Sequence, residues 1–314
     1  MTLDEIKKDI VERCYDFDGS SGTTMSGYNL ISSYTETDLM NMLYSLADVG
    51  GVSSIEVEKK AAYGNCSQYS ITISATTSFR YFYAYETGDT SFLTDEDAQV
   101  LAKLNDLVNS ASVYNTDYEK EKYFHNYLVS NIAYTSNDDD QTPYGALILN
   151  QCVCNGYASS FELLMNMAGI PCTFVTGTAG GGGHAWNQVL LGGAWYNVDV
   201  TWDDPLPDVT GRITYTYLNV NDDSFYSDHT TSQDTAYCFA TEYNAVLMEY
   251  TVCSTQDEAN AYAKSEYASG NKKVEFLYTG SDFSSQSVVN AVGHAASYST
   301  KSTAFGTVYS YTFN

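Results

Sequence analysis

Residues 144–205 read YGALILNQCVCNGYASSFELLMNMAGIPCTFVTGTAGGGGHAWNQVLLGGAWYNVDVTWDDP. From Cys154 onward, Tyr157, Phe161, Leu164, Met165 and Ala168 recur at helical spacing and mark one buried face. Gly169 and then Pro171 supply the stop. Cys154 therefore heads a helix, where unpaired backbone N–H groups and the helix dipole favour a thiolate. Downstream, residues 184–191 and 194–200 flank Gly192-Gly193, a two-residue turn signal between strand-like runs. If Leu191 pairs with Ala194, Trp186 faces Asp199, and His184 and Asp199 become diagonal neighbours on one face. Diagonal Cβ atoms lie about 7 Å apart or less, close enough for a carboxylate to accept the imidazole N–H. With Cys154 opposite, the three residues form a Cys-His-Asp arrangement suited to acyl transfer.

These motifs carry a resemblance. The run V-C-N-G-Y-A at 153–158, G-H-A-W-N at 183–187 and W-Y-N-V-D-V-T-W-D-D-P at 195–205 resemble the core of the bacterial transglutaminase-like superfamily. That group is distantly related in fold to papain-like proteases. The likeness takes in residues 118–134 and 217–230 and covers roughly 93–250. It implies Cys154 as nucleophile, His184 as base and Asp199 as acid. It also implies an α+β, papain/transglutaminase-like core, with the helix bearing Cys154 packed on an antiparallel sheet. Substrate is left open, because the family includes transamidases, peptidases, other amide hydrolases and members without activity.

Each of the three residues taken singly has a structural reading. A helical cysteine is usually a small buried hydrophobe, and strand histidines or aspartates commonly bond backbone. Their joint order and geometry favour catalysis. The backbone N–H of Cys154 is the expected oxyanion donor, with Tyr144 and Gln151 as candidates for a second. Trp186, Trp195 and Trp202 lie near the hairpin, either as walls of a substrate site or as core. Cys152 departs from the family pattern and reads as a buried residue, because a C-x-C disulfide is strained.

The formal net charge of −25 excludes nucleic acid as a partner, since phosphates would be repelled. Charged residues make up only 17 %, and tyrosines number 29. That composition reads as an extracellular or cell-surface bacterial protein, with an acidic cytosolic enzyme as the alternative. No apolar run is long enough for a membrane span, and MTLDEIKKDIVERC has no apolar h-region of an export segment. Seven cysteines are an odd number, so at least one is unpaired in a monomer. Their spacing fits no zinc pattern, and the chemistry calls for no metal or organic cofactor. Asn137–Asp140 lacks the glycine and distal glutamate of a calcium loop and reads as a solvated turn.

Along the chain, Thr2 with Glu5 caps a helix built on Ile6, Ile10 and Val11. Residues 18–35 read as a polar loop, 37–47 as a helix, and 54–59, 69–75 and 79–85 as strands. Thr94 and Thr116 cap two further helices, the second carrying His125 in a packing or surface role. Gly180–Gly183 reads as a flexible approach to His184. Residues 215–220 read as a strand, 255–268 as a helix, 273–278 as a strand, 284–296 as a helix and the last run as a strand. TVYSYTFN at the end resembles SQYSITIS at 67–74, which points to an internal repeat. The expected division is a small α/β module over 1–90, a catalytic core over 91–250 and a second small α/β module over 251–314.

The reaction expected is attack of Cys154 on an amide carbonyl of a protein or peptide, leaving a thioester. Hydrolysis is favoured over transamidation, because the glycine run suggests an open rim rather than a sealed tunnel. The remaining alternative is a non-catalytic module binding peptide or glycan.

Overall fold

The computed structural model describes residues 1–15, 23–47, 52–75, 78–204, 206 and 212–314. The polar run 18–22 and most of the loop after Asp204 lie outside them.

The N-terminal part runs α1 (Leu3–Tyr15), β1 (Thr23–Ser32), α2 (Glu36–Ala47), β2 (Val52–Tyr63) and β3 (Cys66–Ala75). Thr2 and Glu5 cap α1 reciprocally, backbone N–H to side chain at 2.8 and 3.1 Å. The strands are antiparallel in the order β1-β3-β2. On β3, Tyr69, Ile71 and Ile73 alternate inward and meet Ile6, Ile10, Leu39 and Leu43 from the two helices. β1 replaces part of the expected loop. Its Leu30 is buried while neighbouring Ile31 is exposed, an alternation that the surrounding Ser, Thr and Gly hide in the sequence.

The middle of the chain opens on α3 (Phe79–Thr87), α4 (Asp95–Ala111) and α5 (Asp117–Asn131). Then come β4 (Ala133–Tyr134), a π turn at Gly145–Leu149, β5 (Gln151–Cys152) and α6 (Cys154–Met167). The sheet follows: β6 (Cys172–Ala179), β7 (Gly182–Leu191) and β8 (Ala194–Val198). Short elements complete this part: α7 (Val200–Asp203), α8 (Asp222–Phe225), β9 (His229–Thr230) and α9 (Ala245–Glu249). The strand order is β8-β7-β6-β9, antiparallel throughout. Helix α6 lies against β6 and β7, so the architecture is α+β with the cysteine helix on an antiparallel sheet. Its core joins Tyr157, Phe161 and Leu164 of α6 to Leu104 of α4, Phe124 of α5 and Val189 and Tyr196 of the sheet.

Two expected strands are not strands. Residues 79–85 form α3, ended by Gly88 at φ 71°. Their aromatic run has high β propensity, but Phe79 is buried in the N-terminal cluster and Tyr81, Phe82 and Ala84 in the middle one, and tertiary packing overrides propensity. Residues 215–220 run through a turn and a bend and make only a bridge, Asn197 with Val220. Asn219 at φ 62° breaks the strand there.

The C-terminal part runs β10 (Thr251–Cys253), α10 (Gln256–Ala268), β11 (Lys273–Tyr278), α11 (Ser285–Val292), β12 (Ala296–Thr303) and β13 (Gly306–Phe313). Gly293 at φ 82° stops α11 short of the expected 296 and lets β12 form. The strand order is β10-β11-β13-β12. Without its parallel edge strand β10, this part has the order helix, strand, helix, strand, strand and the outer-outer-middle pairing of the N-terminal part. β3 and β13, which carry the two similar sequence runs, are the two middle strands.

Among the described residues, no helix is long and apolar enough to cross a membrane.

Candidate active site

Cys154 is the first residue of α6, behind Val153, whose extended backbone serves as the cap. The Val153 N–H donates to the Asp140 carbonyl at 2.9 Å, so the 136–140 turn anchors the helix start. Asp140 itself accepts from the Ser136 hydroxyl at 2.5 Å, which gives that acidic turn a structural use. Gly156 sits against Cys152: a Cβ there would meet the Cys152 Sγ at 2.8 Å. Cys152 is buried, and burial pushes its thiol well above the ordinary range. Cys66, Cys152, Cys154, Cys172, Cys238 and Cys253 are free thiols, and of these Cys66 and Cys154 alone are reachable.

The β7–β8 hairpin has the expected register, Leu191 opposite Ala194 and Asn187 opposite Val198. Its second strand ends two residues early, at Val198. Asp199 instead caps α7, its Oδ1 accepting from the Trp202 N–H at 3.1 Å. The other oxygen, Oδ2, accepts from His184 Nε2 at 2.7 Å. Cys154 is the other side chain that favours a charged His184 ring, and with Nε2 engaged by Asp199 the nitrogen left for it is Nδ1. Burial disfavours a charged ring at His184. Its hydrogen bonds to Asp199 and Cys154, with their negative charge, overcome this and raise it to about 9. Asp199 is fully buried. Burial pushes its carboxyl up, but hydrogen bonds from His184 and His229 hold it below the usual carboxylate range.

His229 is the residue that sequence reading missed. β9 pairs Ala179 with His229, which brings His229 Nε2 to 3.0 Å from the same Asp199 Oδ2. Its only signal in the sequence is its place near the end of the 217–230 run. His184, Asp199 and His229 present donor atoms within 4.8 Å of one another, a set that could also hold a metal ion. Both N–O separations are those of hydrogen bonds.

The other candidates are dispersed. Tyr144 is half-buried on the main core at the head of the π turn. Gln151 is exposed on β5, its backbone paired with Ala133. No described hydrogen bond ties either to the three residues. Trp186 is 1 % exposed and packs with Val175, Val220 and Phe225 behind the two histidines. Trp195 stands opposite Leu190 at the far end of the hairpin. Trp202 alone of the three is at the rim, 5.6 Å from the His184 ring by centroids, with Gly180 beside it. Gly180 and Gly181, at φ 58° and 84°, form the β6–β7 turn, so the expected loop is a hairpin tip. His125 is buried and bonds Asp203 at 3.2 Å, away from Cys154. Tyr134, 39 % exposed, is raised by partial burial and then by negative charge at Cys154, which puts its phenol beside the site.

Residues 106–200, which hold all three members of the Cys-His-Asp set, match the family model of the transglutaminase-like superfamily. The chain carries a transglutaminase-like segment. Among curated proteins, human kyphoscoliosis peptidase is 30 % identical over 199 residues, covering 54 % of this chain and 28 % of that protein. The mouse kyphoscoliosis peptidase is 32 % identical over 131 residues, 36 % of this chain and 18 % of its own length. The chain thus spans less than a third of the curated relatives it matches. Among solved structures, a TGase crystal structure overlaps at TM-score 0.33 and 15 % identity, covering 59 % of this chain and 53 % of that one. The periplasmic domain of TgpA from Pseudomonas aeruginosa, solved with ethylmercury, overlaps at TM-score 0.28 and 12 % identity, with 58 % and 73 % covered. The transglutaminase-like segment ends at Val200, so His229 lies outside the matched residues.

Proposed function

We propose that the chain is a transglutaminase-like cysteine enzyme that hydrolyses an amide bond of a protein or peptide through a thioester on Cys154. The observation that carries this reading is His184, bonded through Nε2 to buried Asp199 at 2.7 Å and raised from its ordinary value by both Asp199 and Cys154. With His184 raised to about 9, its ring holds a proton at neutral pH. Cys154 then attacks the carbonyl carbon as a thiolate. The tetrahedral oxyanion is met by the Cys154 backbone N–H, which has no intrahelical acceptor in the first turn. His184 gives its proton to the leaving amine, the C–N bond breaks, and the thioester remains. In the second half, His184 takes a proton from water, hydroxide adds to the thioester, and the carboxylic acid product leaves as Cys154 regains its charge. Asp199 keeps the ring oriented through both halves.

Water is favoured over an amine as the second nucleophile because the three tryptophans do not line one tunnel: Trp186 is core and Trp195 stands apart. The flanking α/β parts are taken as separate modules around a core of about residues 91–250. Their matching strand order and their own apolar clusters support that division. Placement outside the cytoplasm rests on composition alone.

The test is incubation with a Gln-containing peptide library and a labelled primary amine, read by mass spectrometry. Cleavage or deamidation abolished by Cys154→Ala is the expected result. Amine incorporation exceeding both would make the enzyme a transamidase. No product from any peptide would favour a binding module.

A further inference from the structure

We propose that His229 is a positioning residue of this site, a second imidazole that fixes the Asp199 carboxylate for His184. The inference rests on the catalytic reading of Cys154, His184 and Asp199. Asp199 receives donors from three separate elements: the Trp202 N–H of α7 on Oδ1, then His184 of β7 and His229 of β9 on Oδ2. With two donors a carboxylate can still turn about its last side-chain bond and trade oxygens. A third donor from another direction removes that freedom.

His229 is itself held for the task. Its Nδ1 lies 2.6 Å from Asp228 Oδ1, and the Tyr217 hydroxyl donates to Asp228 Oδ2 at 2.7 Å. Both ring nitrogens therefore face carboxylate oxygens, which fixes the orientation of the ring. The ring faces are closed by Phe225 at 4.0 Å and Trp202 at 4.5 Å between centroids, with Trp186 edge-on at 5.3 Å. His229 is fully buried, whereas the Asp228 side chain is 40 % exposed. The result is a continuous hydrogen-bonded line from His184 through Asp199, His229 and Asp228 to the surface. A histidine kept only for packing would need neither carboxylate. Leu or Phe would fill that apolar cage without burying a polar ring.

The experiment compares Cys154 alkylation by iodoacetamide across pH in the full chain, its His229→Phe, His229→Gln and His184→Ala variants, with folding checked by circular dichroism. Downfield imidazole N–H proton resonances are recorded in parallel. His229→Phe keeps the ring shape and removes the donors. It should lower the neutral-pH rate roughly tenfold to hundredfold, as loss of an outer partner of a functional histidine commonly does, and shift the pH profile. His229→Gln, whose amide nitrogen can reach Asp199 Oδ2, should recover most of the rate. One downfield resonance should vanish with His184 and a different one with His229. A folded His229→Phe protein with unchanged rate and profile overturns the proposal. If His229→Phe does not fold, His229→Gln decides alone: a folded protein as slow as His184→Ala overturns it, and a near-native profile supports it. A native alkylation rate in His184→Ala instead sinks the catalytic reading itself, a pattern distinct from failure at His229.

Discussion

Asn187 Nδ2 donates to the Ala158 carbonyl at 3.0 Å, joining the strand that carries His184 to the helix that begins with Cys154. Asn187 is fully buried, so this bond is made without competition from water. Asn187→Ala should therefore cost about 0.5–1.5 kcal/mol of stability, the usual net worth of a hydrogen bond whose acceptor keeps its helical partner. It should also slow Cys154 alkylation, because the helix and strand lose a fixed separation. Denaturant titration and iodoacetamide kinetics on the same preparation check both effects. A stable variant with native alkylation would mean that packing alone sets the Cys–His distance.

Cys154 should be alkylated first among the described thiols. Cys152, Cys172, Cys238 and Cys253 are buried, and Cys66 is comparably reachable but has no imidazole beside it. Cys66 thus serves as the internal control for exposure without activation. Limited iodoacetamide followed by peptide mapping reads the order, and Cys66 labelled ahead of Cys154 counts against the nucleophile.

Turnover should fall as pH rises through about 9. His184 is raised from its ordinary value because its partners favour the charged ring, so the proton that the leaving amine needs is lost only there. The same ring contributes stability that is present in full below about 6.5 and lost between 6.5 and 9. His184→Ala should abolish turnover, and Asp199→Asn should do less, by allowing the wrong tautomer. His125→Ala should leave the Cys154 alkylation rate near native while lowering stability, because buried Asp203 loses one donor and keeps those of Thr214 and Tyr217. A His125 variant as slow to alkylate as the His184 one would move the base assignment.

Glu121 offers a pH effect remote from Cys154. Burial raises its carboxyl to about 8, despite a hydrogen bond from Asn219 Nδ2 at 2.6 Å that lowers it. The folded chain holds this proton while the unfolded chain has released it, so stability falls from about pH 4.5 to about 8. Glu121→Gln should flatten that slope and raise the melting temperature at pH 8. An unchanged slope would mean that other groups dominate it.

The helix start at Cys154, the hairpin register and the His184–Asp199 pairing were legible because each rests on local spacing: a 3.6-residue period, a Gly-Gly turn and a two-residue alternation. His229 was not. A two-residue strand leaves no periodic trace, and its approach to Asp199 depends on β9 closing the sheet beside β6. Tyr134 was hidden for the same reason, since its place beside Cys154 comes from the short β4–β5 pairing. The aromatic run of α3 misled because both of its faces are buried. Trp186 was legible as a neighbour of His184, with wall and core both open, and the structure makes it core. Gly177 makes the room for it: a Cβ there would stand 2.6 Å from the indole.

Helix α3 has a consequence for how the whole chain responds to damage. Phe79 belongs to the apolar cluster of the N-terminal sheet, whereas Tyr81, Phe82 and Ala84 belong to that of the middle part. Just ahead of it, the Ser78 hydroxyl donates to Glu162 on α6 at 2.9 Å, inside the protein. One helix is thus shared masonry between two rooms. A truncation at residue 90 would not free a finished wall; it would tear away the apolar lining of the middle part and leave Glu162 facing a gap. Proteolytic nicking in the first ninety residues should therefore be felt at the helix that bears Cys154.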